Sequence, residues 1–276
     1  MPIGPAESPP LSPAIGENEA AVLEAFVAPA YLSHFWALGR RLLLVGSASR
    51  VVHLGCRTGY PDAELLSLMP QTTGVGVDPS TACLTLASAK VERSVFGYLE
   101  ASPEYTGLPE QTFSHAMSLH APGGLIERTL LFREMARLLY GGGQALVCMP
   151  LGQSFPELLD LLAEYALKFE DNTVAEGLEE CGQHPVTVES IAGELEAEGM
   201  HDVDFETADL SLVFDSGRSL LDDPTMRFFI APTLAGWIGA PELTEAMAYV
   251  ARAVDKYWSD ESLELKLKLA AFSARR

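Results

Sequence analysis

The segment VVHLGCRTGYPDAELLSLMPQTTGVGVD, residues 51–78, has the pattern of a strand, a glycine-bearing turn, a helix and a second strand. The apolar run Val51–Leu54 enters the turn Gly55–Gly59, and the second apolar run ends at Asp78. In a βαβ unit, such a turn and an acidic residue about 20 positions further on meet at one edge of a parallel sheet, where nucleotides bind. The segment therefore predicts an α/β protein with a nucleotide-type site.

The rest of the chain continues to alternate strand patterns with helical patterns. Short apolar strands are expected at 94–99, 112–119 and 144–149, and a helix over 125–139 is expected to end at the glycine triplet 141–143. Alternating strands and helices predict a mostly parallel sheet with helices on both faces. Residues 263–272, LELKLKLAAF, alternate at period two, which indicates an antiparallel or partly exposed last strand.

The predicted domain organisation is a short tail followed by one domain. Residues 1–16 are rich in proline and have little to bury, so we expect a disordered tail or, alternatively, a docking motif for a polyproline-binding partner. Residues 17–276 form the domain. Its helical segments at about 17–45, 151–186 and 217–257 are expected to form a lid over the carboxyl edge of the sheet.

Composition excludes several classes of partner. The formal net charge of −20 argues against nucleic acid, because a phosphate-binding surface needs clustered Lys and Arg. No apolar run reaches the length of a membrane span, and no secretory signal is recognisable. The four cysteines are isolated and show no metal-ligand spacing with the histidines, so we expect no metal and a cytoplasmic location. The sequence does not indicate an oligomeric state.

Several segments together resemble the class I S-adenosylmethionine-dependent methyltransferases. The resemblance is closest to the small-molecule enzymes of the ubiquinone/menaquinone and biotin-pathway type (methyltransferase type 11-like). It is carried by VVHLGCRTG, GVGVDPS, LEASPEYTGLPEQTFSHAMSLH, LFREMARLLYGGGQALVCMP and the terminal YWSDESLELKLKLAAFSARR. The resemblance implies a Rossmann-like, seven-stranded, mostly parallel sheet with an antiparallel last strand and helical lid insertions. It also implies S-adenosylmethionine as cofactor.

The resemblance assigns roles at the carboxyl ends of the strands. Backbone of the loop after the first strand would approach the methionine part of the cofactor, and Asp78 would accept hydrogen bonds from the ribose hydroxyls. Glu100 and Ala101 would lie beside the adenine, and Ser118 would end the fourth strand near the transferable methyl group. The cofactor-binding candidates are His53, Gly55, Cys56, Arg57, Gly59, Asp78, Pro79, Glu100, Ala101 and Ser118.

Three residues depart from the family pattern. His53 replaces an acid that helps to orient the ammonium of the cofactor, and His115 replaces the aspartate of the usual Phe-Asp pair in the fourth-strand segment. Arg57 replaces the middle glycine of the loop, which brings a long cation to a place where backbone should approach the ligand. An inward Arg57 could pair with Asp78 or Glu100 and occupy the site, whereas an outward Arg57 would leave the site open.

These observations leave two functions open. The first is methyl transfer to a small apolar or carboxylate-bearing molecule, with His120 as a candidate general base and Tyr31 and Trp36 as candidate pocket residues. His120 could instead be an ordinary polar residue at a strand end, and the two aromatic residues could belong to the core. The second function is an inactive methyltransferase fold that binds a protein partner as a scaffold or regulatory module.

Overall fold

A seven-stranded sheet lies at the centre of the molecule. The computed structural model describes residues 15–46, 48–152, 154–183 and 186–276, so most of the tail expected at 1–16 lies outside the described residues. The strand order is β3-β2-β1-β4-β5-β7-β6, and β7 runs antiparallel to both of its neighbours, β5 and β6, whereas the pairs from β3 to β5 are parallel. The strands are β1 Arg50–Leu54, β2 Thr73–Asp78, β3 Phe96–Glu100, β4 Phe113–Ser118, β5 Leu139–Pro150, β6 His201–Phe214 and β7 Leu263–Arg275. The expected fold class is confirmed.

Helices cover both faces of this sheet and extend beyond its carboxyl edge. The α-helices are α1 Glu17–Val22, α2 Ser33–Leu42, α3 Asp62–Leu68, α4 Thr81–Ser88, α5 Leu125–Leu138, α6 Pro156–Phe169, α7 Asn172–Gln183, α8 Val188–Ala197, α9 Gly217–Asp222, α10 Ala231–Ile238 and α11 Ala240–Tyr257. Two π-helical segments, Leu23–Leu32 and Met226–Ile230, join α1 to α2 and lead into α10.

Alternate residues of β1 enter two different cores. Val51 packs with Phe35 and Trp36 of α2 on one face of the sheet, whereas Val52 and Leu54 pack on the other face against helix α5. A central parallel strand must bury both faces, and this explains why the strand reads as a continuous apolar run. A third apolar core joins α6, α9, α10 and α11 beside the sheet.

The first helices combine into one long apolar segment. In contrast to the expectation from the sequence, Glu17–Leu42 could cross a membrane by length and composition alone, a test that buried core helices also pass. Here its aromatic residues Tyr31, Phe35 and Trp36 are buried, and α2 packs against β5, β6 and β7. The segment therefore serves as part of the core.

The expectation that the glycine triplet ends a helix is wrong. Helix α5 ends at Leu138, and Gly141–Gly143 lie inside β5. Gly142 has φ +82° and donates its N–H to the carbonyl of Arg276 at 2.7 Å, while the register between β4 and β5 shifts there. The glycines therefore form a bulge that lets β5 pair with both β4 and the chain end.

Close packing of β2 between its neighbours can be tested with a matched pair of glycines. A Cβ at Gly74 would meet the ring of Phe96 and lie 2.7 Å from the carbonyl oxygen of Val51, whereas a Cβ at Gly97 of β3 would meet nothing within 4 Å. We expect Gly74→Ala to lower the free energy of unfolding by about 2 kcal/mol. Gly97→Ala should change it by less than about 0.5 kcal/mol. Urea denaturation measures both, and equal effects would contradict the packing.

Candidate functional site

The predicted site residues meet at the carboxyl edge of the sheet. Asp78 ends β2, Glu100 ends β3 and Ser118 ends β4, while the turn Gly55–Gly59 follows β1. Strand β1 lies between β2 and β4, so the chain order reverses there. In open α/β sheets the crevice at such a reversal is the usual place for a ligand.

The turn after β1 has a conformation that its glycines allow. Gly55 and Gly59 have φ of +66° and +76°, and the N–H groups of Gly55 and Cys56 both donate to the carbonyl of Val77. A Cβ at Gly59 would lie 2.8 Å from the Cβ of Ala87 on α4, whereas one at Gly55 would meet nothing within 4 Å. Gly59 is therefore needed for packing, and Gly55 leaves open space beside the backbone.

Asp78 connects the two loops of the site. Its Oδ2 accepts a hydrogen bond from the backbone N–H of Arg57, and its Oδ1 accepts one from the N–H of Ser80, both at 2.9 Å. The residue is only 4% exposed. A carboxylate offers about four acceptor positions. Asp78 therefore keeps enough capacity for the two hydroxyls of a ribose.

The other candidates around Asp78 have simple environments. Ala101 donates its N–H to the Asp78 carbonyl at 3.3 Å, and the exposed Glu100 accepts a hydrogen bond from the Thr81 hydroxyl at 2.8 Å. Pro79 is half-buried, and Ser118 is buried at the end of β4. The strand ends thus bring these residues to the same edge.

A buried carboxylate lies beside His53, where the sequence lacks one. His53 Nδ1 lies 2.7 Å from Asp62 Oδ1, and the hydroxyl of Tyr98 donates to Asp62 Oδ2 at 2.9 Å. His53 and Asp62 are almost completely buried, and His53 Nε2 has no hydrogen-bond partner among the described residues. Sequence reasoning missed Asp62. Its position at the first residue of the helix after the turn was the available signal.

The side chain of Arg57 points into the crevice. Its Nη1 donates to the Gly55 carbonyl at 3.2 Å, and its Cζ lies 4.6 Å from the ring centre of Phe229 in the lid. Burial lowers the pKa of the Arg57 guanidinium, and the Asp78 carboxylate opposes this shift. No described carboxylate lies within 4 Å of the guanidinium nitrogens, so its charge faces the crevice without an ion-pair partner.

Tyr31 and His120 form a second polar pair in the crevice. The Tyr31 hydroxyl lies 3.1 Å from His120 Nε2, and the His120 ring lies 4.4 Å from the ring of Phe229. Burial, followed by the charge of Arg57, lowers the pKa of His120 well below its usual value, and burial raises the pKa of Tyr31. His120 is therefore a neutral imidazole, and its Nε2 shares one hydrogen bond with the Tyr31 hydroxyl.

Trp36 and His115 lie in the packed interior of the protein and not in the crevice. Trp36 is 2% exposed within the core and does not line either of the two cavities at this edge, whereas Tyr31 lines the smaller one. His115 contacts the Ser114 hydroxyl and the Leu44 carbonyl, both at 2.8 Å. Burial lowers the pKa of His115, so it joins β4 to the chain after α2 as a neutral group.

Two adjoining cavities open between the sheet edge and the lid. The larger, of about 660 Å³, is lined by Arg57 and His120 together with lid residues that include Phe228 and Trp237. The smaller, of about 100 Å³, has a mostly apolar wall that includes Leu151, Leu159, Ile230 and Leu234. His120 and Phe229 line both cavities. Sequence patterns indicated a lid here but did not single out Phe229.

Metal-ligating side chains do not cluster in the part of the chain that the structure describes. No group of three or more His, Cys, Asp or Glu side chains there is arranged to hold an ion. Asp78, Arg57 and the Tyr31–His120 pair are polar groups at this edge that could hold a ligand of another kind.

Comparison with known proteins gives a family match over the first part of the sheet. Residues 52–147 match the family model described as "Methyltransferase domain". No curated protein sequence matches the chain.

Solved structures resemble the whole chain at low sequence identity. Phosphoethanolamine N-methyltransferase 2 from Haemonchus contortus, in complex with phosphomonomethylethanolamine and S-adenosylhomocysteine, is 16% identical with a TM-score of 0.55. The match covers 94% of this chain but 57% of the Haemonchus enzyme. An S-adenosylmethionine-dependent methyltransferase from Geobacter sulfurreducens, in complex with S-adenosylhomocysteine, is 15% identical with a TM-score of 0.53, and the match covers 95% and 99% of the two chains. Residues 52–147 are therefore similar to a methyltransferase domain, and the whole chain has the Rossmann-like fold of the methyltransferase structures that it resembles.

Proposed function

We propose that the protein transfers a methyl group from S-adenosylmethionine to a small molecule bound beneath the lid. The observation that carries this proposal is Asp78, a carboxylate with spare acceptor capacity beside the open backbone of Gly55 at the reversal of strand order. Structural relatives in complex with S-adenosylhomocysteine support the choice of cofactor. The cavities below the lid are suited to a small acceptor.

The residues present fit the nucleoside half of the cofactor better than the methionine half. Asp78 would hold the ribose, with Glu100 and Ala101 beside the adenine. Position 53 lacks the expected carboxylate, and the carboxylate nearby belongs to Asp62. Asp62 already forms hydrogen bonds with His53 and Tyr98. Arg57 instead offers a cation, which suits a carboxylate group.

The chemistry divides between the cofactor and this chain. When bound, S-adenosylmethionine supplies an electrophilic methyl group. The chain has to hold the acceptor close to that group and exclude water. In the proposed reaction the lid residues Phe229 and Trp237, which line the larger cavity, would limit the access of water, and Arg57 and His120 would face the acceptor.

A cytoplasmic location is also part of the proposal. The four cysteines are free thiols in the structure, and this suits a reducing compartment. The partner that we propose is a small molecule.

Titration calorimetry with S-adenosylmethionine and S-adenosylhomocysteine tests the cofactor. We expect binding that Asp78→Asn weakens by roughly 10-fold to 100-fold, because charge-assisted hydrogen bonds to the ribose are lost. Asp222→Asn is the matched control, since Asp222 is an exposed carboxylate paired with Arg218 on α9. Circular dichroism checks that both variants fold. Failure of both ligands to bind at millimolar concentration would contradict the proposal.

One observation favours a second function, a binding or scaffold protein that no longer uses the cofactor. Arg57 occupies part of the crevice and places its charge where the positively charged cofactor has to bind. In this case a protein partner would replace the small acceptor.

Arg57→Gly distinguishes the second function from the first. If the side chain blocks the crevice, we expect no binding of S-adenosylmethionine to the wild type and measurable binding to Arg57→Gly by calorimetry. Binding by the wild type, unchanged or weakened in Arg57→Gly, would contradict the scaffold function.

The buried His53–Asp62 pair predicts that an acid at position 53, which the resemblance implies, would lower the stability of this protein. His53→Asp would place a second carboxylate against Asp62 in a buried site, so we expect the free energy of unfolding to fall by about 3 kcal/mol. Adding Asp62→Asn should recover about half of this loss, because the repulsion disappears. His34→Asp, at an exposed position on α2, should change stability by less than about 0.5 kcal/mol. Chemical denaturation measures all three variants, and a fully stable His53→Asp would contradict the pairing.

A further inference from the structure

Arg57 is a half-buried cation whose hydrogen-bond donors are mostly unused. A guanidinium has five N–H donors. In the described structure, the side chain of Arg57 makes one hydrogen bond, to the carbonyl of Gly55, and contacts the ring of Phe229. By contrast, Arg128 makes a two-point ion pair with Glu194. The unused N–H donors of Arg57 can therefore form hydrogen bonds with an anion in the larger cavity.

The smaller cavity beside Arg57 has an apolar character. Its wall is formed largely by Leu151, Leu159, Ile230, Leu234 and Trp237, and it joins the larger cavity at His120 and Phe229. The guanidinium of Arg57 lies over the ring of Phe229, so the cation is located at the junction of the smaller and the larger cavity. The shape and chemistry of this arrangement match a molecule with an apolar body and an anionic head.

From this juxtaposition we infer that the methyl acceptor is a small carboxylic acid whose carboxylate binds Arg57 and whose apolar body fills the smaller cavity. The inference deepens the proposed function and rests on the crevice being the acceptor site. A carboxylate suits the planar, two-point hydrogen bonding of a guanidinium.

The protonation state of the neighbouring groups agrees with this acceptor. Burial and Arg57 keep the pKa of His120 well below its usual value, and Nε2 of that ring already contacts the Tyr31 hydroxyl. His120 is therefore a poor base for removing a proton from an alcohol or an ammonium. A carboxylate is already deprotonated at neutral pH and needs no base.

The reaction balances without a proton acceptor. A carboxylate oxygen forms a bond to the methyl carbon while the bond between that carbon and the cofactor sulfur breaks, and the electron pair returns to sulfur. The products are a methyl ester and S-adenosylhomocysteine.

Two other charges line the larger cavity, and both are acidic. Glu127 and Glu180 are exposed residues at its rim, where solvent and salt screen them. Arg57 is the half-buried charge and acts in a less polar environment. The attraction of an entering anion to Arg57 is therefore stronger than its screened repulsion by the two rim carboxylates.

Calorimetric titration of octanoate into the full chain without cofactor tests the inference. We expect octanoate to bind roughly tenfold more tightly than octanamide, a neutral molecule of similar size. Arg57→Gln should remove this preference. Arg227→Gln should keep it, because Arg227 is an exposed arginine on the same lid that lies over Phe228, 5.8 Å from Cζ to ring centre. Equal binding of the two probes, no binding of either, or an unchanged preference in Arg57→Gln would overturn the inference.

A second titration separates the acceptor from the carboxylate of the cofactor itself. S-adenosylhomocysteine carries an amino-acid carboxylate, whereas methylthioadenosine lacks it. One outcome is that Arg57→Gln weakens the binding of S-adenosylhomocysteine but not of methylthioadenosine, and that the wild type shows no preference for octanoate. In that case Arg57 binds the carboxylate of the cofactor, and the inference is overturned. If the octanoate preference depends on Arg57, the inference is supported.

The outcomes of these titrations also distinguish a failure of this inference from a failure of the proposed function. Binding of S-adenosylmethionine without an octanoate preference overturns the acceptor class only. An octanoate preference without S-adenosylmethionine binding supports the carboxylate site and contradicts methyl transfer. Formation of methyl octanoate from S-adenosylmethionine, lost in Arg57→Gln and retained in Arg227→Gln, would support both.

Discussion

The hydrogen bond from the N–H of Arg57 to the buried carboxylate of Asp78 determines the geometry of the whole crevice. Arg57 has φ +49°, a left-handed conformation that costs a non-glycine residue about 1–2 kcal/mol. A charge-assisted hydrogen bond of 2.9 Å to a 4% exposed acid offsets that cost. The same bond fixes the turn against β2, and the side chain then points between the turn and the lid. The backbone hydrogen bond between Arg57 and Asp78 therefore helps to place the positive charge of Arg57 in the crevice.

The pair His53–Asp62 shows how one departure from the family pattern is accommodated. An acid is missing from β1, but Asp62 at the start of α3 brings a carboxylate to 2.7 Å from His53. Because both groups are buried, either one alone would be costly, since a buried charge or polar group needs a partner. The two residues therefore depend on each other, and the change at position 53 is part of a coherent local structure.

The sequence predicted strands β1 to β4 but neither the start of β5 nor the contacts between the loops. Spacing between the Gly55–Gly59 turn and Asp78 predicted the strand ends correctly, because period and turn chemistry are local. The directions of Arg57 and Phe229 depend on residues far apart in the chain, so no local pattern reports them. The glycine triplet 141–143 was misread because glycine also suits a strand bulge, and only pairing with β4 and the chain end decides between the two.

Arg57 also bears on how cofactor and acceptor would share the crevice. S-adenosylmethionine carries a positive sulfonium, so an unpaired guanidinium nearby opposes its binding, whereas a bound carboxylate would neutralise the guanidinium. Under the proposed chemistry the acceptor therefore strengthens cofactor binding, and by linkage the cofactor strengthens acceptor binding to the same extent. The overall charge of −20 opposes such an anion only weakly, because salt screens distant charges beyond about 8 Å. Under this proposal the cation of Arg57 favours the state in which both ligands are bound together.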